Sequence, residues 1–337
     1  MRAILGSALA LLFAASTAHA LDKTSVAALA FVSSAPIFIA KEKGYFEAEG
    51  LDVEIKFFQA AQPVAVAVAS GDADFGITGL TGGFFNLAAK GALKIVAAQS
   101  REEPGYNFVA YVVTPKAYEA GFRSPKDYKG KTVGITQVGS TFHYNIGMLA
   151  DKYGFKLGDV SLKPLQSVPN MVAALKGGQV DSVLLPANQA LGLEKDGSGK
   201  IIGWVHEHTP WQLGALFTST KNTTEKRPMV QRFVKAYVKA AADYADAFHQ
   251  RDAAGKRVFG PKADALIPIL QKYVKPEPSA DQVKASVSFI DPQGRLLVKN
   301  LYEQVAWYKA QGMVDAGADA KTMIDLGFVQ GHLDLPK

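Results

Sequence analysis

Cysteine is absent from all 337 residues. That single absence excludes a disulfide framework, a thiol nucleophile, a cysteine-ligated zinc and an anchor through a lipid-modified cysteine. Basic clusters are missing too. The chain carries 37 Lys and Arg against 31 Asp and Glu, a net charge of +6, but the two signs are interspersed. A nucleic-acid surface needs a dense basic stripe, so no nucleic-acid partner is expected. After the first twenty residues no run is long and apolar enough to cross a bilayer, which takes about 20 residues. Gly76, Gly79 and Gly82 are three apart, which is not the dinucleotide-binding spacing. Ser140 lies one turn from His143, yet no nucleophile-elbow sequence surrounds it. His206 and His208 would share one face of a strand, as metal ligands can, but Glu207 points away and no third ligand is evident. No catalytic residue, metal or cofactor is therefore expected.

The first twenty residues read as an export signal. Arg2 supplies positive charge, residues 3–15 are almost wholly apolar, and Ala18-His19-Ala20 offers small residues where a signal peptidase reads. Cleavage after Ala20 would leave Leu21 as the new N-terminus, with nothing to tether the product. An unanchored exported protein is most useful in an enclosed space, so the expected location is a Gram-negative periplasm.

The rest alternates strands and helices. Leu51, Val53, Ile55 and Phe57 interleave with Asp52, Glu54 and Lys56, the period of a half-buried strand. Residues 26–32 form an apolar strand-like run, and Pro36 then opens a helix that stops near Gly44. Pro63 and Gly71 bracket the next helix. A short strand at 74–77, a helix at 82–90 and a strand at 94–98 follow. A second unit begins with a strand at 132–135 and a helix from Thr141, and the alternation continues at 160–163, 169–176, 180–185 and 201–205. Repeated strand-helix units predict an α/β architecture with mostly parallel sheets. One internal echo supports two similarly built lobes: Val66-Ala67 through Gly71 to Asp74 matches Val172-Ala173 through Gly177 to Asp181. The last third is helical. An apolar stripe runs from Val230 to Phe248 and a further helix spans about 297–311, both expected to complete the first lobe.

Four segments carry a family resemblance. Ser34-Ala35-Pro36-Ile37-Phe38-Ile39-Ala40, with Lys43-Gly44-Tyr45-Phe46 and Glu49-Gly50-Leu51-Asp52-Val53, resembles the opening of nitrate/sulfonate/taurine-type binding proteins, a group that includes binders of thiamine-precursor pyrimidines. Gly71-Asp72-Ala73-Asp74-Phe75-Gly76 is similar to the next landmark. Tyr128 to Gly134 with Gly139-Ser140-Thr141 resembles the entry to the second lobe, and residues 172–181 the fourth landmark. The resemblance spans roughly residues 24–250. It implies a type II periplasmic binding fold: two α/β lobes, mostly parallel sheets, two crossing strands and a ligand in the cleft between. By it, residues 1–20 are the signal, 21–113 and 219–337 the first lobe, and 114–218 the second, with crossings near Thr114 and Thr218.

The implied function is that of an ABC importer's substrate-binding protein. It would capture a small organic anion, a sulfonate or carboxylate, aromatic or not, as a monomer, and deliver it to an inner-membrane permease. Two other readings stay open: binding or synthesis of a thiamine-pyrimidine precursor, and ligand sensing for a membrane receptor. The pyrimidine-making relatives consume their own histidine and rely on a cysteine-rich stretch, which this chain lacks.

Candidate ligand residues follow from where helices begin. In open α/β sheets ligands lie beyond the carboxyl ends of strands, at helix N-termini that attract anions. Ser33 and Ser34, then Thr78, Gly79 and Thr81, then Ser140 and Thr141 occupy three such turns. His143 and Trp211, with Tyr144, could wall a flat ligand; Arg101 could pair with an anion; Asn188 is a further polar candidate.

Overall fold

The computed structural model describes residues 20–336, so the expected export signal lies, all but Ala20, outside the described residues. Thirteen strands are present among them: β1 (Asp22–Leu29), β2 (Leu51–Phe58), β3 (Phe75–Gly79), β4 (Leu93–Ala98), β5 (Ser100–Glu102), β6 (Val109–Val113), β7 (Thr132–Ile135), β8 (Ser161–Pro164), β9 (Ser182–Pro186), β10 (Lys200–Trp204), β11 (Trp211–Gln212), β12 (Gly214–Ser219) and β13 (Phe289–Ile290). The first sheet has the order β2-β1-β3-β12-β4, the second β8-β7-β9-β6-β10, and a small third sheet β11-β5-β13 joins the two crossing segments to Phe289–Ile290.

Local sequence explains these elements. In β2 the apolar Leu51 and Val53 are buried while Asp52 and Glu54 face out, as period two requires. The strand expected at 26–32 runs instead over Asp22–Leu29, because its parallel register with β2 begins at Asp22↔Leu51. Residues Val32–Ser34 then make a single tight turn into the helix Ala35–Glu42, with Pro36 in its first turn. The helix Ala61–Ser70 ends on Gly71, whose φ of 86° is the left-handed conformation that glycine adopts without strain. The stretch holding His206 and His208, expected as a strand, is a short helix, Val205–His208. Each ring meets a different neighbour there: His206 Nε2 lies 3.1 Å from Asn107 Oδ1, and His208 Nδ1 2.5 Å from the Tyr153 hydroxyl.

The echo between the lobes is structural. Ser25 N–H donates to Asp74 Oδ2 at 2.9 Å, tying β1 to the start of β3. Thr132 N–H donates to Asp181 Oδ2 at 2.8 Å, tying β7 to the start of β9. Each aspartate fixes the entry of the strand that pairs with its donor.

Both crossings fall earlier than expected. Val109–Val113 pairs antiparallel with β9 in the second sheet, and Gly214–Ser219 pairs antiparallel with β3 and β4 in the first. The chain therefore changes sheets between Ala98 and Val109 and between Trp204 and Gly214, rather than near Thr114 and Thr218.

The stripe from Val230 packs as expected. The helix Arg227–Phe248 buries Phe233 against Phe75, ring centroids 3.8 Å apart, on the outer face of the first sheet. Each fully buried side chain of that size contributes about 1.5–3 kcal/mol. The helix Val298–Ala310 does something else. Its Tyr308 hydroxyl donates to Ser140 O at 3.3 Å, while its ring lies 5.7 Å from Phe85 of the first lobe. Trp307 packs against His143 and Tyr144 of the second lobe. The helix bridges the lobes rather than completing the first alone, because two large aromatics at adjacent positions cover both. The lobes also touch where Gly82 N–H donates to Gly139 O at 2.9 Å.

Candidate functional site

Between the lobes, the carboxyl ends of β1, β3 and β9 converge with the residues just after β2 and β7 on an inner cavity of about 50 Å³. Four helices begin at its wall: Ala61–Ser70, Thr141–Tyr153, Val168–Lys176 and Ala187–Lys195, which contribute Ala61, Thr141, Val168 and the preceding Pro186. Their positive dipole ends therefore point at one small volume. Ser140 and Ser167 cap two of these helices with their hydroxyls, whereas Ala60 and Pro186 supply no side-chain acceptor to the other two. No Lys, Arg, Asp or Glu lines the cavity. Leu29, Phe31, Phe108, Phe142 and Leu213 make it largely apolar, and Ser33, Thr78, Gln99, Thr136 and Thr141 give it polar points. Thr78 Oγ1 and Gln99 Oε1 are buried there without hydrogen-bond partners, which is costly unless something else satisfies them.

The cavity extends both ways. Past Val109, Thr141, Phe142 and Leu213 a pocket of about 10 Å³ reaches Glu102 and Trp211. On the other side, across Phe31, an outer chamber of about 620 Å³ opens between Phe57 and Tyr273 of the first lobe and Pro169, Val172 and Asn188 of the second. Lysines appear only in this chamber, two of them already paired: Lys176 with Asp196 at 2.7 Å and Lys272 with Glu42 at 2.8 Å.

The residues expected from sequence separate into groups. Ser33, Thr78, Gly79 and Thr141 line the inner cavity. Gly79 is needed for close approach, since a Cβ there would come within 2.7 Å of Thr141 Cγ2 across the cleft. Trp211 reaches the deep pocket and Asn188 the outer chamber, its Nδ2 buried and without a partner. Ser34 is fully buried beside the cavity with an unpartnered hydroxyl.

Five others are turned elsewhere. Thr81 accepts from Phe84 N–H at 3.0 Å and donates to Gln62, and Ser140 accepts from His143 N–H at 3.3 Å; both are helix caps. His143 Nδ1 accepts from Gly139 N–H at 2.9 Å and its ring faces Trp307; burial lowers its pKa, keeping it neutral. Tyr144 is wedged against Trp211, Trp307 and Tyr308. Arg101 points away from the cleft, its Nε donating to Glu103 at 2.7 Å and its guanidinium over the Phe289 ring.

Sequence reasoning missed Gln99, Glu102 and Thr136. The signal available for Glu102 was alternation. In a strand Ser100-Arg101-Glu102, Arg101 and Glu102 must face opposite ways, so choosing one as cleft-facing excludes the other.

A family model described as NMT1/THI5 like matches residues 32–277. The chain belongs to that family. A Brucella abortus protein named, provisionally, as a binding protein is 31% identical over 172 residues, 51% of this chain and 46% of that one. A Schizosaccharomyces pombe 4-amino-5-hydroxymethyl-2-methylpyrimidine phosphate synthase is 26% identical over 151 residues, 43% of this chain and 39% of that one. The chain thus matches less than half the length of these relatives. The alkanesulfonate-binding protein of Xanthomonas axonopodis pv. citri, bound to MOPS, superposes with a TM-score of 0.72 at 19% identity, over 92% of this chain and 100% of that one. The periplasmic nitrate-binding protein of Synechocystis gives 0.66 at 16% identity, over 89% and 84%. At such identities the likeness is one of fold: this is the two-lobed periplasmic binding fold.

Proposed function

We propose that this protein is the ligand-capturing component of an ABC importer, exported to the periplasm, and that it closes its lobes over a small organic anion, a sulfonate or carboxylate. The observation that carries this reading is the convergence of four helix N-termini on a cavity with no Lys or Arg in its wall. Backbone N–H groups and dipole ends hold an anion without a side-chain cation, and two of the helices have no side-chain cap competing for their N–H groups. The Phe31, Phe108 and Phe142 side chains would pack the ligand's apolar or aromatic body. Ser33, Thr78 and Thr141 are the proposed polar contacts within the cavity. Closure around the ligand would offer a permease one defined surface.

Thermal unfolding without and with alkyl sulfonates, nitrate, benzoates and thiamine-precursor pyrimidines tests the proposal. A ligand at about a hundred times its dissociation constant adds about 2.7 kcal/mol of stability. Sulfonates or carboxylates are expected to raise the melting temperature. A response to pyrimidines alone would replace the anion reading with precursor binding, and no response from any class would overturn the capture reading.

A further inference from the structure

Glu102 is 1% exposed, and neither of its carboxyl oxygens has a hydrogen-bond partner in good geometry, although the backbone N–H groups of Val109 and His206 lie nearby. Burial pushes its carboxyl well above the usual range, and these N–H groups offset this only in part. Trp211 is 2% exposed, and its Nε1–H likewise has no acceptor. These two residues are register partners in the antiparallel β5–β11 pair. Their side chains therefore rise together from one face, with Cβ atoms about 4.5–5.5 Å apart.

Both line the deep pocket that shares Val109, Thr141, Phe142 and Leu213 with the inner cavity. Of its two other polar wall residues, Thr141 is shared with the inner cavity and Asn145 is already satisfied: Asn145 Oδ1 accepts from the Tyr111 hydroxyl at 2.7 Å and Asn145 Nδ2 donates to Thr209 Oγ1 at 2.9 Å. What remains is an acceptor and a donor side by side, in a volume of about 10 Å³. That leaves room for one water-sized polar group.

The geometry points to Glu102 and Trp211 as a specificity pair that takes a hydroxyl or neutral amino group on the inner end of the ligand, which donates to Glu102 and accepts from Trp211 Nε1–H. The inference rests on the capture reading above and adds to it which small anions are preferred. An alkyl end would press hydrocarbon against both orphaned groups, whereas a hydroxyl satisfies both. An ammonium donates but has no lone pair for Trp211, so it is the poorer fit.

Matched probes test this: ethanesulfonate against 2-hydroxyethanesulfonate, and benzoate against 4-hydroxybenzoate, titrated calorimetrically into the purified protein. The hydroxylated member of a binding pair is expected to bind about tenfold tighter or more. In Glu102→Leu and in Trp211→Phe that preference should fall to near one, because an alkyl end no longer meets an orphaned polar group there. Glu102→Leu should also raise the melting temperature of the ligand-free protein. A merely structural role would move the melting temperature without moving the preference ratio. Should one variant fail to fold, the other still reads the ratio. Equal binding within each pair in the wild type, or a preference that survives in a folded variant, overturns the inference alone. Binding by none of the four probes overturns the sulfonate-or-carboxylate reading and the inference with it.

Discussion

Place for place, the first sheet β2-β1-β3-β12-β4 matches the second, β8-β7-β9-β6-β10. In each, the first three strands are parallel and the fourth is antiparallel to both its neighbours. That fourth strand is always the newcomer: β6 enters the second lobe from the first, and β12 enters the first lobe from the second. What the lobes do not share is the chain between them. Residues 99–108 and 205–213 belong to neither main sheet, yet Gln99, Glu102, Trp211 and Leu213, which line the cavity or its deep pocket, all lie there. Duplication of the sheet places the helix ends around the cleft, and the segments that break the duplication supply its floor. The lobes also differ in what covers them, since the helix Arg227–Phe248 packs on the first alone while Val298–Ala310 spans both.

The largest expected effect comes from cutting that span. Tyr308 is fully buried in a cluster that runs from Phe85 of the first lobe to Tyr144 of the second. Tyr308→Ala should cost about 3–5 kcal/mol, as for other buried aromatics. It should also split a single calorimetric transition into two, with the second lobe melting apart from the first. A wild type that already unfolds in two steps would show that the shared core does not couple the lobes.

Next in size is the aspartate that each lobe uses to fix a strand. Asp74 Oδ2 accepts from both Ser25 N–H and Ser25 Oγ, and its backbone O accepts from Thr218 Oγ1 at 2.6 Å; Asp181 Oδ2 accepts from Thr132 N–H alone. Replacing either by Ala strips a backbone N–H of a charge-assisted bond, worth about 1.5–3 kcal/mol. Asp74→Ala should fall at the upper end and Asp181→Ala at the lower, measured by urea denaturation. Equal losses would mean that the extra Ser25 bond contributes nothing.

Much of this duplication was legible in the sequence, and the reason it was legible also explains what was hidden. Gly71 and Asp74 declare a helix end and a strand entry through local chemistry, and so does Asp181, so the lobes could be matched from single residues. The matching was imperfect even there, since Gly177 has an ordinary helical φ of −79° and Gly178 takes the left-handed position at 64°. The crossing points near Thr114 and Thr218, taken from the family resemblance, fall late because β6 is buried throughout and β12 nearly so, and an apolar run such as Val109–Val113 does not say which sheet it joins. Hydroxyls at helix starts were found readily, but a cap and a ligand contact look alike in sequence. Thr78 and Thr141 face the cavity, while Thr81 and Ser140, one to three residues away, turn back onto their own helices. Arg101 was favoured over Glu102 for its charge, although the register of a three-residue strand decides which one faces the cleft.

That last ambiguity yields the smallest effect and the sharpest comparison of the two lobes. Thr81 and Ser140 occupy equivalent places, each capping the helix that starts beside the Gly82–Gly139 contact. Losing a cap costs about 1 kcal/mol, within a range of about 0.5–2. Thr81→Ala should lie higher in that range, because its hydroxyl also donates to Gln62 Oε1 at 2.5 Å, and Ser140→Ala lower, because its bond to His143 N–H is 3.3 Å long. Neither hydroxyl lines the cavity, so affinity for whichever probe binds should stay within about twofold of wild type in both variants, whereas Thr78→Val, which removes an unpartnered hydroxyl from the wall, should change it. A large affinity loss in Ser140→Ala at unchanged stability would show that the second lobe uses its cap as a ligand contact where the first lobe does not, and the symmetry of the two helix starts would then end at the cleft.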